Sequence, residues 1–242
     1  MIIMQTRTVE YQSDGMNCKG FMAFDDSESL PGPTVFMVPP FDGVTDFTKD
    51  YAKRVAALGY VVFVPDLYGD GQTRDEMDAC MALIMPYLEN RVLARTRMLE
   101  AFEVAKQQPE VDADKMAALG FCSGGMCALE LARAGADLKG LVSLHGAFAP
   151  TELAAEKIKA KLLFLHGYDD PQVPPDALPA LAKELNEQGV DWQFVFFSQT
   201  KHSFTDPIAA EIGSPEAGRV YSKRTAERAF QYSKDFFAEI FE

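Results

Sequence analysis

A cysteine stands at the centre of a glycine-rich segment, Gly120-Phe121-Cys122-Ser123-Gly124-Gly125. An apolar run precedes the segment and a stretch with helical spacing follows it, which is the strand–turn–helix context of a nucleophile elbow. Such a turn forces its middle residue into a strained backbone conformation and needs small neighbours, which Gly120 and Gly124 supply. We therefore predict that Cys122 projects above the carboxyl edge of a sheet and acts as a nucleophile.

The residue after this cysteine is expected to open the following helix. There the amide of Ser123 points into the same space as the thiol and can donate to an oxyanion, and the helix N-terminus favours negative charge. The same helix end should lower the pKa of the Cys122 thiol and favour its thiolate. The competing interpretation is that Cys122 is a buried apolar filler in a glycine-rich turn.

A nucleophile of this kind needs a base, and the base needs an orienting carboxylate, in the chain order nucleophile, acid, base. Of the three histidines, His145 and His166 each end an apolar strand, and we expect the backbone to satisfy them. His202 follows a strand in a polar loop and is the last histidine, so it is the predicted base. Two adjacent aspartates, Asp169 and Asp170, follow the preceding strand, and the residues alone leave both open as the acid.

The elements that must position these groups alternate between two kinds. Short, nearly continuous apolar runs, typical of strands covered on both faces, occupy 34–38, 60–64, 115–120, 140–144, 161–165 and 192–197. Stretches with helical spacing occupy 46–58, 91–107, 123–134, 175–188 and 217–241. This alternation predicts an α/β fold with a doubly wound, mostly parallel sheet and helices on both faces.

The remaining segments complete a single predicted domain over 1–242. Two further strands near 7–11 and 19–24, separated by Asp14-Gly15, are expected to form an antiparallel edge hairpin. The region 69–88 is predicted to be a short helix or a lid over the cleft. The polar stretch 206–217 is predicted to be a loop that lies over the site.

Composition excludes several classes of function. The formal net charge of -13 argues against binding nucleic acid or an anionic membrane surface. The chain has neither a run of about 18 apolar residues nor a signal peptide's long apolar centre, so we expect a cytoplasmic protein that spans no membrane. The four cysteines form no C-x-x-C pair and have no histidine at ligand spacing, so we expect neither a disulfide framework nor a metal site.

Three motifs together are similar to those of the dienelactone hydrolase family. They are the cysteine segment described above, His166-Gly167-Tyr168-Asp169-Asp170-Pro171-Gln172-Val173-Pro174, and His202-Ser203-Phe204. The segment 57–69 is also typical of the family, and the resemblance extends from about residue 35 to the C-terminus. It implies an α/β-hydrolase fold and a Cys122–His202–Asp170 triad, with Asp170 chosen because it is the acid of the D-P-x-V-P pattern. It also implies a second oxyanion donor, the amide of Phe41.

The chain departs from the family at positions that bind or activate. Dienelactone hydrolases have a glutamate just before the second oxyanion donor, and Pro40 stands there in this sequence. Asp42 is near, but it aligns two residues later and is not assigned that role. The family arginine four residues after the base is replaced by Asp206. Arg74 aligns loosely with the other substrate-binding arginine, and a solvated surface charge is its competing interpretation. We therefore do not expect an anionic lactone as the substrate.

The resulting hypothesis is a carboxylic ester or lactone hydrolase that acts on small molecules without a metal or organic cofactor. Tyr68 and Phe204 each lie just beyond a strand end and are predicted, with Arg74, to line the substrate pocket. The apolar stripe Met77, Met81, Met85 and Leu88 is interpreted as core, or as the lining of a lid. The alternatives are a thioesterase or peptidase, or a non-catalytic binding protein on the same fold. We expect a monomer or a weak dimer.

Overall fold

The computed structural model describes residues 3–148, 150–151, 153, 155–210 and 216–242, and an eight-stranded sheet runs through its centre. The strands are β1 (Met4–Ser13), β2 (Met16–Asp25), β3 (Gly32–Val38), β4 (Val61–Val64), β5 (Val111–Phe121), β6 (Gly140–Leu144), β7 (Lys161–Gly167) and β8 (Trp192–Phe197). Their order across the sheet is β1-β2-β4-β3-β5-β6-β7-β8. The six strands from β4 to β8 in this order pair in parallel, while β1 and β2 form the antiparallel edge hairpin.

Six α-helices cover the two faces of the sheet. They are α1 (Asp46–Ala56), α2 (Met77–Glu89), α3 (Arg91–Lys106), α4 (Ser123–Arg133), α5 (Leu178–Glu187) and α6 (Lys223–Phe241), with short 3-10 turns at Pro175–Ala177 and Pro207–Ala210. One core layer lies between the sheet and α2 to α5, and the other lies between the sheet and α1 with α6. Because both faces are covered, every residue of β4 and β6 is buried.

The register of the parallel strands brings three chain segments to one edge. Phe121 at the end of β5 pairs with Leu144 of β6, and Leu144 pairs with Leu165 of β7. The residues that follow these strands therefore share the carboxyl edge of the sheet, where ligands bind in open α/β folds. This edge carries the turn at Cys122 and the loop at Asp170.

The predicted α/β class, the mostly parallel sheet and the helices on both faces are confirmed. Each of the six predicted apolar runs overlaps a strand, and the edge hairpin turns at Asp14-Gly15, where both residues have positive φ. The last helix begins at Lys223 rather than near 217, since the Ser222 side chain caps it by accepting from the amide of Thr225. Of the predicted loop 206–217, residues 211–215 lie outside the described part.

The region 69–88 contains α2, a full helix in front of the cleft. None of the helices in the described ranges is long and apolar enough to cross a bilayer.

Candidate active site

The turn after β5 holds Cys122 at φ 51° and ψ -120°, which is a strained conformation for a residue with a side chain. A Cβ at Gly120 would collide with the carbonyl of Gly124, and one at Gly124 would collide with the carbonyl of Pro39. The turn therefore requires glycine at both flanking positions, as predicted. It presents the cysteine side chain at the carboxyl edge of the sheet.

Backbone hydrogen bonds fix this turn against the neighbouring strand. The amide of Cys122 donates to the carbonyl of Leu144 at 3.1 Å, and the Cys122 carbonyl accepts from Ala147 at 3.2 Å. Helix α4 begins at the next residue, Ser123, whose amide donates toward the sulfur. The sulfur thus lies at the positive end of a helix that is buried along its whole length.

A continuous chain of hydrogen bonds joins the three residues of the predicted triad. Nε2 of His202 lies 3.0 Å from Sγ of Cys122, and Nδ1 of His202 lies 2.7 Å from Oδ2 of Asp170. The other carboxylate oxygen, Oδ1 of Asp170, accepts from the amides of Gln172 at 2.8 Å and Val173 at 3.2 Å. Asp170 and His202 are both buried, and Cys122 remains partly exposed.

The two adjacent aspartates have different environments. Asp169 is exposed, whereas Asp170 is buried with both carboxylate oxygens bonded. Of these two aspartates, Asp170, which the family resemblance implied as the acid, is the one that contacts His202.

The electrostatics of the triad favour a thiolate–imidazolium pair. Burial raises the pKa of the Cys122 thiol, but the charge and hydrogen bond of His202, with the Ser123 amide, outweigh it and lower this pKa. Burial lowers the pKa of His202, but the charge of Cys122 and the bond to Asp170 outweigh it and raise the pKa to about 10. For Asp170, the penalty of burial is exceeded by His202, so the pKa lies below its ordinary value. Proton transfer from sulfur to imidazole is therefore favourable at neutral pH.

A cavity of about 650 Å³ opens at the sulfur. Its lining consists of Phe41, Met77, Met81, Ile84, Leu88, Cys122, Ser123, Ala147, Gln172, Val173, His202, Ala217 and Arg219. A second cavity of about 490 Å³ adjoins it and shares Phe41, Met77 and Arg219. The second cavity is more polar, with Asp42, Thr45, Lys49 and Arg74 in its lining.

The segment after β3 brings Phe41 to the wall that faces Cys122 and Ser123. The hydroxyl of Tyr68 donates to the carbonyl of Phe41 at 2.9 Å, which fixes the orientation of this peptide segment. The guanidinium of Arg219 stacks over the Phe41 ring at 4.8 Å from its centroid.

The predicted substrate contacts need correction at two positions. Tyr68 is buried beneath the Phe41 segment, and neither cavity at the site includes it in its lining. Phe204 is fully buried, with its ring 5.0 Å from that of His145 and 5.8 Å from that of Phe197. Both strand-end aromatic residues support the site from below rather than lining it. Arg74 is exposed and lines the second cavity, not the one that contains the sulfur.

Three features of the site were not predicted, or were left open, by the sequence alone. Arg219 reaches both cavities because its backbone pairs with that of His202 in a parallel bridge. Three members of the apolar stripe of α2, Met77, Met81 and Leu88, line the cavity at the Cys122 sulfur, and Met81 and Leu88 also pack on the core. The helical spacing of the stripe was the available signal for it, whereas no local pattern around Arg219 indicates its place.

His145 is the third feature, because it lies behind the base. Its ring is 5.1 Å from that of His202 at a 66° angle, and its Nε2 is 2.8 Å from Oγ1 of Thr205. Burial, followed by the positive charge of His202, holds the pKa of His145 well below its usual value. His145 is therefore neutral beside the imidazolium. His166 is bonded through Nε2 to the carbonyl of Val173 at 2.9 Å, as expected of a strand-end histidine.

Asp42 occupies an unusual position one residue after Phe41. Its Oδ1 is buried without a hydrogen-bond partner among the described residues. Burial, with the nearby charge of Asp206, raises its pKa to about 7. Asp206 is also buried, and burial raises its pKa as well. Asp206 thus stands at the position of the family arginine four residues after the base, and its charge acts on the carboxyl of Asp42.

Within the ranges that the structure describes, no three His, Cys, Asp or Glu side chains are arranged to hold a metal ion.

Comparisons with known proteins identify the family of this chain. The profile of the dienelactone hydrolase family matches residues 19–241. A relative named "Putative carboxymethylenebutenolidase" from Aquifex aeolicus is 27% identical over 234 residues, which cover 95% of this chain and 96% of the relative.

Solved structures give the same result. The dienelactone hydrolase-like promiscuous phosphotriesterase P91, from metagenomic libraries, is 36% identical with a TM-score of 0.93, and the match covers 99% of both chains. A dienelactone hydrolase structure from Klebsiella pneumoniae, titled as putative, has a TM-score of 0.80 at 21% identity over 98% of this chain and 99% of that one, which shows the shared fold. Since the family profile covers nearly the whole sequence, the chain belongs to the dienelactone hydrolase family.

Proposed function

We propose that this hydrolase of ester or lactone bonds uses Cys122 as its nucleophile, His202 as its general base and acid, and Asp170 to orient the imidazole. The observation that carries the proposal is the unbroken hydrogen-bonded chain from sulfur to carboxylate, at 3.0 Å and 2.7 Å. This is the arrangement that nucleophilic catalysis requires, with the base within reach of the nucleophile and the third group within reach of the base.

The reaction proceeds in two halves. The Cys122 thiolate attacks the carbonyl carbon, and the carbonyl electron pair moves to oxygen. When the tetrahedral intermediate collapses, the C–O bond breaks and Nε2–H of His202 protonates the departing alkoxide, leaving a thioester. His202 then takes a proton from water, the hydroxide attacks the thioester, and collapse releases the acid and the thiolate. A lactone follows the same steps, but its alkoxide remains attached to the acyl chain.

The oxyanion in both halves is assigned to the amides of Ser123 and Phe41. Ser123 supports this assignment because its amide already donates toward the sulfur at the start of α4. Phe41 lines the same cavity, and the hydroxyl of Tyr68 holds its carbonyl on the other side of the peptide segment. Loss of one such donor typically costs about 3 kcal/mol of transition-state stabilisation.

The site forms its thiolate without the family's glutamate, which Pro40 replaces. We assign that task to His202 alone, because its raised pKa and the lowered pKa of Cys122 already favour the charged pair. A neutral ester or lactone suits this site better than an anionic one. Asp206 stands where the family has an arginine, and it is buried close to Asp42.

The test is hydrolysis of a neutral activated aryl ester by four proteins. We expect Cys122→Ala to lower kcat/KM at least a thousandfold, and Asp170→Asn to lower it by up to about 10⁴-fold because the imidazole loses its orienting partner. Asp169→Asn is the matched control and should keep wild-type activity, since that carboxylate is exposed. Undiminished turnover in Cys122→Ala would rule out the proposed nucleophile and favour another hydrolytic chemistry.

A second candidate activity is phosphotriester hydrolysis, which the 36% identical structural neighbour favours by its description. The same thiolate would attack phosphorus, the phosphoryl oxygen would occupy the oxyanion site, and an aryloxide would leave. Release of the aryl alcohol from a neutral aryl phosphotriester, abolished in Cys122→Ala, would support it. Release that persists in the variant would exclude this site as its source.

We also infer a single domain over the whole chain, acting in the cytoplasm as a monomer or weak dimer. One sheet takes strands from Met4 to Phe197, and all four cysteines are free thiols. Sedimentation of the purified protein over a range of concentrations tests the oligomeric state, and cell fractionation tests the location.

A further inference from the structure

One helix supplies an apolar wall to the cavity that contains the catalytic sulfur. Four residues of α2, Met77, Met81, Ile84 and Leu88, line the cavity at steps of four, three and four, so they share one helix face. Ile84 is buried in the core, while Met81 and Leu88 are only partly buried. This helix face therefore contacts both the hydrophobic core and the cavity. Part of each long side chain remains available to a ligand.

The rest of the lining divides into reacting groups and apolar surface. Phe41, Ala147 and Val173 extend the apolar wall, whereas the polar members other than Cys122, Ser123 and His202 are Gln172 and Arg219. A polar substituent against the apolar wall would lose its hydrogen bonds to water without replacement. An alkyl chain would instead gain from leaving water.

The chemistry of the triad decides which part of an ester faces this wall. Nε2 of His202 must protonate the departing oxygen, so the alcohol part lies on the His202 side of the sulfur. The acyl part then extends toward the opposite wall.

Helix α2 stands on that opposite side. The ring of Tyr87 from α2 is 5.8 Å from that of Tyr68, and the hydroxyl of Tyr68 bonds to the carbonyl of Phe41. The helix is thus tied to the Phe41 segment, which follows β3. In the sheet, β3 and β8 lie on opposite sides of β5, so this segment is across the sulfur from the His202 loop that follows β8. Along the helix, the seven residue steps from Met81 to Leu88 span about 10 Å. An extended alkyl chain of roughly eight carbons has this length.

We propose that the α2 wall is an acyl-chain subsite and that the substrate class is esters of unbranched apolar acids of about six to ten carbons. This inference rests on the proposed function, since it needs Cys122 as the nucleophile and His202 as the acid. Methionine suits such a wall, because its unbranched side chain adapts to chains of different length.

The first experiment compares p-nitrophenyl acetate, butyrate, hexanoate and octanoate, in which the leaving group stays constant. One fully buried methylene is worth about fourfold in affinity, so partial burial should raise kcat/KM from acetate to octanoate by at least tenfold. A parallel series keeps the acetyl group and lengthens the alcohol from ethyl to octyl. Across this alcohol series, the increase in the logarithm of kcat/KM should be less than half of the increase across the acyl series.

The second experiment places a polar group in the wall. Met81→Gln keeps the side-chain length and should reduce the octanoate-to-acetate ratio of kcat/KM about three- to tenfold, whereas Met81→Leu should restore most of it. Met85→Gln is the matched control on the same helix, because Met85 is partly buried but lies outside the lining. It should keep the wild-type ratio. Thermal melts of all three variants separate a lost subsite from a lost fold.

The outcomes are distinct. A flat dependence on acyl length, with turnover that still requires Cys122, overturns the subsite and leaves the proposed function intact. A gain that follows the alcohol chain and responds to Met81→Gln assigns the wall to the leaving group and also overturns the inference. If Cys122→Ala keeps full turnover on every ester, the proposed function fails, and the subsite fails with it.

Discussion

The charge state of Cys122 depends on one neighbour. Burial alone would keep the thiol protonated, and the imidazolium of His202 reverses this balance. We expect the ultraviolet absorbance of a thiolate in the wild-type protein at neutral pH. It should disappear in His202→Asn, because the penalty of burial is then opposed only by the weaker effects of the Ser123 amide and Arg219. A titration of this absorbance, with Cys122→Ala as the blank, measures the effect.

The sign of the pH dependence follows from the two pKa shifts. As pH falls, the thiolate signal should persist to below the ordinary pKa of a thiol, since the pKa of Cys122 is lowered. As pH rises through about 10, His202 loses its proton and the site loses the acid that the leaving alkoxide needs, so kcat should fall. Cys127→Ala is the control, because burial raises the pKa of that thiol to about 12. A signal that vanishes in this control instead would contradict the assignment.

Asp42 should make the protein less stable as pH rises. Its pKa in the folded protein is raised to about 7, mainly by burial, while the unfolded carboxyl ionises near 3.8. The free energy of unfolding therefore decreases as pH rises from about 4 to about 7, and above that window this carboxyl lowers it no further. Asp42→Asn removes the ionisation. In urea unfolding, the free energy of unfolding of Asp42→Asn minus that of wild type should rise across this window, by at most about 4 kcal/mol.

The exposed aspartate Asp75 provides the comparison, since it borders the second cavity but lies in water. Asp75→Asn should change stability by a constant, small amount across the same pH range. A difference between Asp42→Asn and wild type that does not vary with pH would refute the buried, protonated carboxyl.

At the residue scale, the sequence predicted the positions of residues that a motif constrains. It did not predict which residues line the pocket, because that depends on the direction of each side chain. Gly120 and Gly124 are required by the turn itself, so the position of Cys122 could be derived from spacing. The same reasoning placed Tyr68 and Phe204 in the pocket, because both follow strand ends. Which way a side chain points after a strand depends on packing from distant segments, and both side chains point into the protein.

At the scale of elements, the junction of α4 with β3 governs the oxyanion site. A Cβ at Gly124 would meet the carbonyls of Val38 and Pro39, just before the segment that carries Phe41. Gly124→Ala must therefore push α4 away from β3, at a cost of about 1 to 3 kcal/mol. We expect lower thermal stability and at least a tenfold loss of kcat, because the amides of Ser123 and Phe41 separate.

Gly32→Ala tests whether this effect is local. Gly32 lies at the start of β3, and a Cβ there would meet no atom closer than 3.5 Å. That variant should keep kcat within twofold or so of wild type. Equal losses of kcat in the two variants would show that any substitution in β3 or its neighbours disturbs the site, and would remove the argument from the α4 junction.

Elements with a single environment could be predicted from their own residues. The buried strands read as apolar runs because both of their faces are covered, and all six apolar runs overlap strands. Helix α2 has two environments, with Tyr87 in the core and Met81 in the lining of the cavity at the Cys122 sulfur. A stripe of apolar residues predicts which face of a helix is apolar. It does not predict whether that face contacts the core or a cavity, because the spacing is the same in both cases.

At the scale of the whole molecule, a buried ion network ties three helices together behind the site. Arg133 of α4 is fully buried and bonds to Glu130 at 3.0 Å and to Glu184 of α5 at 2.7 Å. Glu130 is also fully buried and bonds to Arg95 of α3 at 2.9 Å. Arg95 and Glu184 lie far in sequence from the Glu130–Arg133 pair, so their pairing with it could not be predicted from local pattern.

Removing one partner from this network should destabilise the whole fold. Arg133→Met keeps much of the apolar volume but leaves Glu184 without its buried partner and removes one of the salt bridges of Glu130. Such a loss costs about 3 kcal/mol or more, because a buried charge is left uncompensated. Urea unfolding should show a lower midpoint with an unchanged slope, since the same surface is exposed on unfolding.

Lys183→Met is the matched control on α5. Lys183 pairs with Glu187 at 3.9 Å on the exposed face, where such a bridge contributes less than about 1 kcal/mol. If the two variants lose equal stability, burial does not set the strength of the network, and the helices behind Cys122 are held by apolar packing alone. A large loss for Arg133→Met only, with KM unchanged at temperatures where the variant is folded, would show that the network supports the fold without contacting the substrate.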